Sequence, residues 1–291
     1  MRKGVTLVEL LVVLFIVAVL IALLVPAVQK VRETALLMQS MNHLRQMTLG
    51  LNNIASNFGG KLPGVVWSER PLQGNTFVDL LPYIEHGDLY HLYHNPPPGS
   101  RPWHFDSIQV PTFCNPLDRS LGIENMGLFP RVAPNNVAVS SYVANAQFFA
   151  FYPRMSKMTD GASQTIWFVE QYGWSCNGTT FMYFLGLASH WRPIQPATFA
   201  HGGTVVGRPA PEDYHPITIG NPPVTTAEGG KTFGVTPTGH DCDPRQPNAS
   251  TSRGLQTAFG DGTVRILAPG ISPHVFWAMV TPNSGDVVGA E

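Results

Sequence analysis

Residues Val5 to Val25 read VTLVELLVVLFIVAVLIALLV, 21 positions broken by one charge, Glu9. As a helix at about 1.5 Å per residue this run spans roughly 30 Å, the hydrocarbon thickness of a bilayer. A helix of this length and composition can cross a membrane. Arg2 and Lys3 precede the run, and the bias of positive charge toward the cytoplasm puts that end inside and everything after Val25 outside. A secretory signal peptide starts in the same way, but its apolar stretch is typically about 7 to 15 residues. A carboxylate within a span costs a few kcal/mol unless it is paired, so Glu9 calls for a functional reason.

The leader Arg2-Lys3-Gly4, followed by Val5-Thr6-Leu7-Val8-Glu9-Leu10-Leu11, resembles the class III leader of type IV pilins and of the pseudopilins of type II secretion. The resemblance implies that a prepilin peptidase cuts after Gly4 and methylates the new first residue, Val5, where that family most often has Phe. It makes Glu9 the assembly acid and Pro26 the proline that kinks the helix. Cleavage places an α-amino group four residues before Glu9, and in a staggered bundle the amine of one subunit can meet the Glu9 of the next. Paired in lipid, the two charges offset much of each other's burial cost.

Beyond Pro26 the apolar positions Val28, Val31, Ala35 and Met38, then Leu37, Met41, Leu44, Leu51 and Phe58, recur at helical spacing, with Lys30, Arg32, Glu33, Arg45 and Gln46 between them. The expected helix runs from Thr6 to Phe58, roughly 80 Å, and stops at Gly59-Gly60, where glycine takes the left-handed cap. From Lys61 onward the character changes, since 25 of the 26 prolines lie beyond residue 60. Strands are expected at Ser140–Ala144, Thr165–Glu170, Thr179–Leu187, Thr257–Phe259 and Thr263–Leu267, with a short helix at Thr76–Ile84. Asn95–Gly99 and Gly220–Arg253 read as irregular loops. The fold class is therefore α+β, a long N-terminal helix packed on an antiparallel sheet with long loops. The divisions are a leader at 1–4, a membrane helix at 5–25, its amphipathic continuation at 26–60 and an extracytoplasmic head at 61–291.

Five further segments carry a narrower likeness: Met41–Gln46 (MNHLRQ), Leu80–Glu85 (LLPYIE), Pro111–Pro116 (PTFCNP), Thr159–Ile166 (TDGASQTI) and Ala258–Leu267 (AFGDGTVRIL). Together they are similar to the planctomycete-type prepilin-like family called DUF1559, or SBP_bac_10. That family ends on a histidine, nine residues and Asp-Gly; here Asp261-Gly262 is present, and Thr251 stands at the histidine position.

The rest of the chain offers little catalytic chemistry. His86, Asp88, His91 and His94 are close in sequence but match no zinc signature, and their aromatic neighbours read as packing. Asp241 and Asp243, in His240-Asp241-Cys242-Asp243, have the oxygen chemistry for Ca²⁺, yet two acids without an EF-hand spacing fall short of a site. Asp261-Gly262 reads as a hairpin turn. No G-x-S-x-G is present, and Cys114, Cys176 and Cys242 allow one disulfide and one free thiol of open pairing. The six tryptophans suit burial better than a sugar platform. With a formal net charge of −1 and no Lys/Arg run, the chain lacks the footprint of a nucleic-acid binder.

The sequence thus points to a non-enzymatic, cofactor-free type IV pilin-like or pseudopilin-like structural subunit. It is expected to pass once through the bacterial inner membrane, with its head periplasmic or otherwise extracytoplasmic, or to stand in a filament. Its partners would be the prepilin peptidase, the lipid bilayer and other pilin-like subunits meeting it through the N-terminal helix. The alternative is a membrane-anchored module that binds a glycan or protein and uses the leader only for targeting.

Overall fold

The computed structural model describes residues 7–64, 75–98, 108–121, 138–149, 153–173, 180–182, 194–196, 198–200, 232–238, 241–242 and 246–283. The chain falls into two compact units, Met1–Gln39 and Ser40–Glu291.

Helix α1 runs from Leu7 to Asn57. Its last turn closes through the Phe58 amide on the Ile54 carbonyl and the Gly60 amide on the Ala55 carbonyl. Gly59 and Gly60 have φ of +61° and +79°, the left-handed stop expected of them. Within the second unit, Ser40, Leu44, Met47, Leu51 and Ile54 form the buried stripe. The single apolar stripe expected after Pro26 is buried only in part: of its positions Leu37, Leu44 and Leu51 are buried, while Val28, Val31 and Met38 are exposed.

The head is built on a five-stranded sheet. Its strands are β1 (Tyr142–Asn145), β2 (Ile166–Glu170), β5 (Thr198–Phe199), β8 (Leu255–Phe259) and β9 (Val264–Leu267), in the order β5-β1-β2-β8-β9. The four strands β1, β2, β8 and β9 are antiparallel, and β5 joins β1 in parallel. Every residue of β2 and β8 is buried, so both sheet faces are covered and the alternation of a half-exposed strand is missing. Trp167 sits where the β2–β8 register shifts, and its ring stacks on Phe148 at 5.8 Å in α4 (Ala146–Phe149). Asn145 Nδ2 donates to the carbonyls of Ile166 and Val280, tying β1 to β2 and to α5 (Pro273–Val280).

Two small pairs lie apart from this sheet, β3 (Thr180–Met182) with β4 (Ile194–Pro196) and β6 (Gly234–Val235) with β7 (Asn248–Ala249). The second pair corrects the reading of Gly220–Arg253 as wholly irregular. The expected helix at Thr76–Ile84 is real but divided, α2 at Thr76–Leu80 followed by a 3₁₀ turn at Leu81–Ile84, with Asn75 Oδ1 capping the Phe77 and Val78 amides. Helix α3 (Gly87–His94) was not anticipated. The part of the Thr179–Leu187 expectation beyond Met182 falls outside the described residues.

Candidate functional site

The candidate residues fall in two regions, one in each unit. In the first unit the large apolar side chains from Leu7 to Val25 are exposed, and none of the most apolar window of α1 is buried. Glu9 lies in the first turn, where a carboxylate meets the positive end of the helix dipole. Pro26 is inside α1, which continues through it although proline gives no N–H to the Ala22 carbonyl. Gly4 and Val5 lie outside the described residues.

In the second unit, the segments singled out in the sequence turn out to be joints. His43, from the Met41–Gln46 segment, bonds through Nδ1 to the Cys114 carbonyl at 3.1 Å, so the helix grips the Pro111–Pro116 loop. Burial holds the imidazole below its ordinary pKa, favouring the neutral ring whose Nδ1–H donates here. The Leu80–Glu85 segment presses on Gly50, where an added Cβ would lie 2.5 Å from Leu80 Cδ1.

Gly260-Asp261-Gly262 forms the β8–β9 turn. The Gly262 amide donates to the Phe259 carbonyl, and the Phe259 amide to the Thr263 carbonyl. Gly262 has φ +88°, and Asp261 Oδ1 accepts from both the amide and the hydroxyl of Thr263. This is a hairpin loop of three residues with the left-handed position on its second glycine. The Gly260 carbonyl accepts from Asn52 Nδ2 of α1 at 3.0 Å, while the Gly260 and Asp261 amides donate to the carbonyls of Thr165 and Ala162. A Cβ on Gly260 would stand 2.9 Å from the Trp167 ring. Asp261 and Gly262 therefore shape the turn that seats the sheet on the helix.

Behind the Cys114 loop lies a buried polar layer that sequence reasoning missed. Glu170, fully buried at the end of β2, accepts from Asn115 Nδ2 at 2.8 Å, from the Gln256 amide at 2.8 Å, from Gln256 Nε2 at 3.1 Å and from the Ser250 amide at 3.3 Å. Asp118 receives the Ser120 amide and hydroxyl on Oδ1, and the Ser141 hydroxyl and Gly173 amide on Oδ2. Burial raises the pKa of both carboxyls despite these donors, for Glu170 to about 7. The one hint in the sequence was an acid closing an otherwise apolar strand.

The Glu170 shift has a measurable consequence. An unfolded chain releases this proton near the ordinary 4.5, whereas the folded chain holds it to about 7. The stabilising contribution is complete below pH 4.5 and is lost as pH rises to 7, by about 3 kcal/mol at most. In thermal melts the wild type should lose stability relative to Glu170→Gln across that window, whatever the absolute gap between them. A gap that stays constant from pH 4.5 to 8 would remove Glu170 as the titrating group.

The remaining candidates fall into place around this layer. His94 and His91 pack their rings on Tyr90 within α3, and Asp88 is exposed there. Asp241 accepts from the Thr238 hydroxyl, while Asp243 lies outside the described residues. Among the described residues no group of three or more His, Cys, Asp or Glu gathers to hold a metal. Cys114 is a free thiol that burial pushes up to about 12, which keeps it protonated and inert; Cys242 is disulfide-bonded, and Cys176 lies outside the described residues. Trp167 and Trp277 are buried, as expected; Trp67, Trp103, Trp174 and Trp191 fall outside the described set. Thr251, at the histidine position of the likeness, is buried next to Ser250 with its hydroxyl unbonded.

Residues 29–274 match the family described as a protein of unknown function, DUF1559 (SBP_bac_10), and residues 1–25 match the prokaryotic N-terminal methylation motif. No curated protein and no solved structure matches the chain.

Proposed function

The chain belongs to the DUF1559 (SBP_bac_10) family and carries the N-terminal methylation motif of a prepilin-like, type IV pilin-type protein, and from this premise we propose that it is a non-enzymatic structural subunit. The motif implies processing by prepilin peptidase, and the apolar half of α1 is a membrane anchor by length and composition. In this reading the peptidase cuts between Gly4 and Val5. The head lies on the extracytoplasmic side, and subunits meet through the first unit's helix. The exposed run from Leu7 to Val25, with a single acid in its first turn, is the observation that carries the proposal. A plain anchor needs only apolar residues, and an acid placed there has a use once a neighbour's amine is available.

Mass spectrometry of the N-terminus tests the processing. The expected first residue is Val5, with or without a methyl group, and an intact Met1 or a cut near Ala27 would refute it. Shear fractionation tests the assembly. A structural subunit is expected in sheared high-molecular-weight material or in helix-mediated membrane complexes, whereas a monomer confined to the membrane fraction would mark an anchored binding module instead.

A further inference from the structure

The apolar stripe of the first unit continues past the point where lipid can cover it. A hydrocarbon core of about 30 Å takes up about 20 residues of helix, so a span that enters at Leu7 leaves near Pro26. Lys30, Arg32 and Glu33 then put charge on α1, yet Val28, Val31 and Met38 stand 61%, 70% and 54% exposed, and Ala35 is exposed with them. The chain itself leaves these four positions open.

Their spacing says what fits. Steps of four and three lead from Leu24 through Val28, Val31 and Ala35 to Met38, and the same alternation runs back through Ile21 and Val17 to Leu7. The next steps meet Asn42 and Arg45, so the stripe stops at the end of the first unit. A period of about 3.5 residues is that of a coiled-coil seam, whereas a helix face on a globular core follows about 3.6. With Leu7 as position a of the heptad, Val28 and Ala35 also fall on a, and Val31 and Met38 fall on d.

We infer that this stripe is the contact with a second copy of the chain, a parallel two-stranded coiled coil that starts in the bilayer and runs out to Met38. It rests on the subunit reading above and names the face through which two helices meet. Copies that share one leader enter the membrane the same way round and at the same depth, which sets them parallel and in register. Near the exit from lipid, β-branched Ile21 and Val28 occupy a and Leu24 occupies d, the combination that favours two strands. Across the pair, Arg32 of one copy faces Ala27 of the other and Thr34 faces Gln39, so no like charges meet over the seam. Pro26 takes position f, on the side away from the seam, so its ring and its missing N–H do not disturb the contact. Glu9, at c, lies on a different face, so its contact with a neighbour's amine does not compete with this one.

The size is sufficient. From Leu7 to Met38 the seam is about 46 Å long, and a helix about 10 Å across offers about 500 Å² along it. Two copies together reach about 1,000 Å², the size a specific interface needs. More than a third of the length lies in water, where burial of apolar surface drives the association.

The test is disulfide cross-linking of the full chain in its membranes, with single cysteines placed along α1 and copper phenanthroline as oxidant. Facing a or d positions of a parallel pair bring their Cα atoms within reach of a disulfide, and c or f positions do not. Val28→Cys, Val31→Cys and Ala35→Cys should therefore give a product of twice the chain mass, several-fold more than Lys30→Cys and Glu33→Cys give. Adding Val28→Glu and Val31→Glu to Ala35→Cys should abolish the product while the chain stays in the membrane fraction. Equal cross-linking at all five positions, none at the three seam positions, or a product of another mass would overturn the proposal. The subunit reading fails separately. An intact Met1 in a chain that cross-links with the expected period removes prepilin processing and keeps the seam, whereas sheared high-molecular-weight material without the cross-link removes the seam and keeps the subunit.

Discussion

Glu9→Leu is expected to leave the chain in the membrane and to remove it from assemblies. Leucine is a good helix former and is welcome in lipid, so insertion of α1 should hold or improve. What disappears is the partner for a neighbour's N-terminal amine. An ammonium left in a low-dielectric helix bundle costs a few kcal/mol, and the charge that disfavours wrong registers is gone as well. At about 1.4 kcal/mol per tenfold change in an equilibrium constant, a loss of that size at each subunit contact reduces assembly by at least about two orders of magnitude. The measurement is a pair of fractions, membrane-bound chain after alkaline washing and helix-crosslinked or sheared oligomer. Unchanged membrane content with oligomer lost supports the role; equal oligomer in mutant and wild type would refute it.

Gly254→Ala should have the largest effect on the stability of the head. Gly254 has φ +128°, a backbone conformation that side chains rarely adopt, and an added Cβ would lie 2.0 Å from the Leu267 carbonyl oxygen and 3.0 Å from its carbon. The obstacle is backbone rather than a pliable side chain. Gly254 leads into β8, whose first pair is Leu255 with Leu267, so relief requires the β8–β9 ladder to open at its end. Strain of the backbone alone is worth about 1 to 3 kcal/mol, and loss of this pairing brings the total to about 3 kcal/mol or more. For a head of this size the melting temperature should fall by roughly 10 °C. Gly161→Ala is the control, since Gly161 has φ +95° but nothing within 4 Å of the added Cβ. It carries the conformational strain without the collision. Equal melts for the two variants would show that the contact with Leu267 has no weight.

Much of the first unit was legible because its information is local. A helix that is apolar on every face needs no partner elsewhere in the chain to be recognised, and in the second unit Gly59-Gly60 marks the end of the continuation of α1 by backbone freedom alone. How much of the single stripe after Pro26 is buried was less decidable. Val28 and Val31 have the same spacing as Leu44 and Met47, yet the first two are exposed and the last two buried, a difference that spacing does not carry. The strands at β1, β2, β8 and β9 were found within a few residues, since β-branched and aromatic runs bounded by turn residues are also local signals. Helix α3 carries only a weak local signal, since eight residues bury no more than Leu89 and Tyr93.

The buried polar layer was illegible for a different reason. Asn115 and Glu170 are 55 residues apart, Glu170 and Gln256 are 86 apart, and nothing in either neighbourhood announces the other. A buried carboxylate is tolerated only where donors converge on it, and that convergence arises from the order β1-β2-β8 and from the loop that carries Asn115. The motifs Met41–Gln46, Pro111–Pro116 and Ala258–Leu267 were visible as patches, but their use as joints depends on His43 meeting Cys114 and Asn52 meeting Gly260.

By itself the sequence determined the features that unbroken runs and their period carry: a membrane-length helix with one acid, its amphipathic continuation, a glycine stop, and a head of short strands and turns. Only the tertiary structure decided which face of the continuation is covered, that Gly260-Asp261-Gly262 seats on the helix, and that Asn115, Glu170 and Ser250 share one buried network of hydrogen bonds. The physical division is between side-chain periodicity, which each segment carries alone, and strand register, which exists only when segments far apart in the chain are paired.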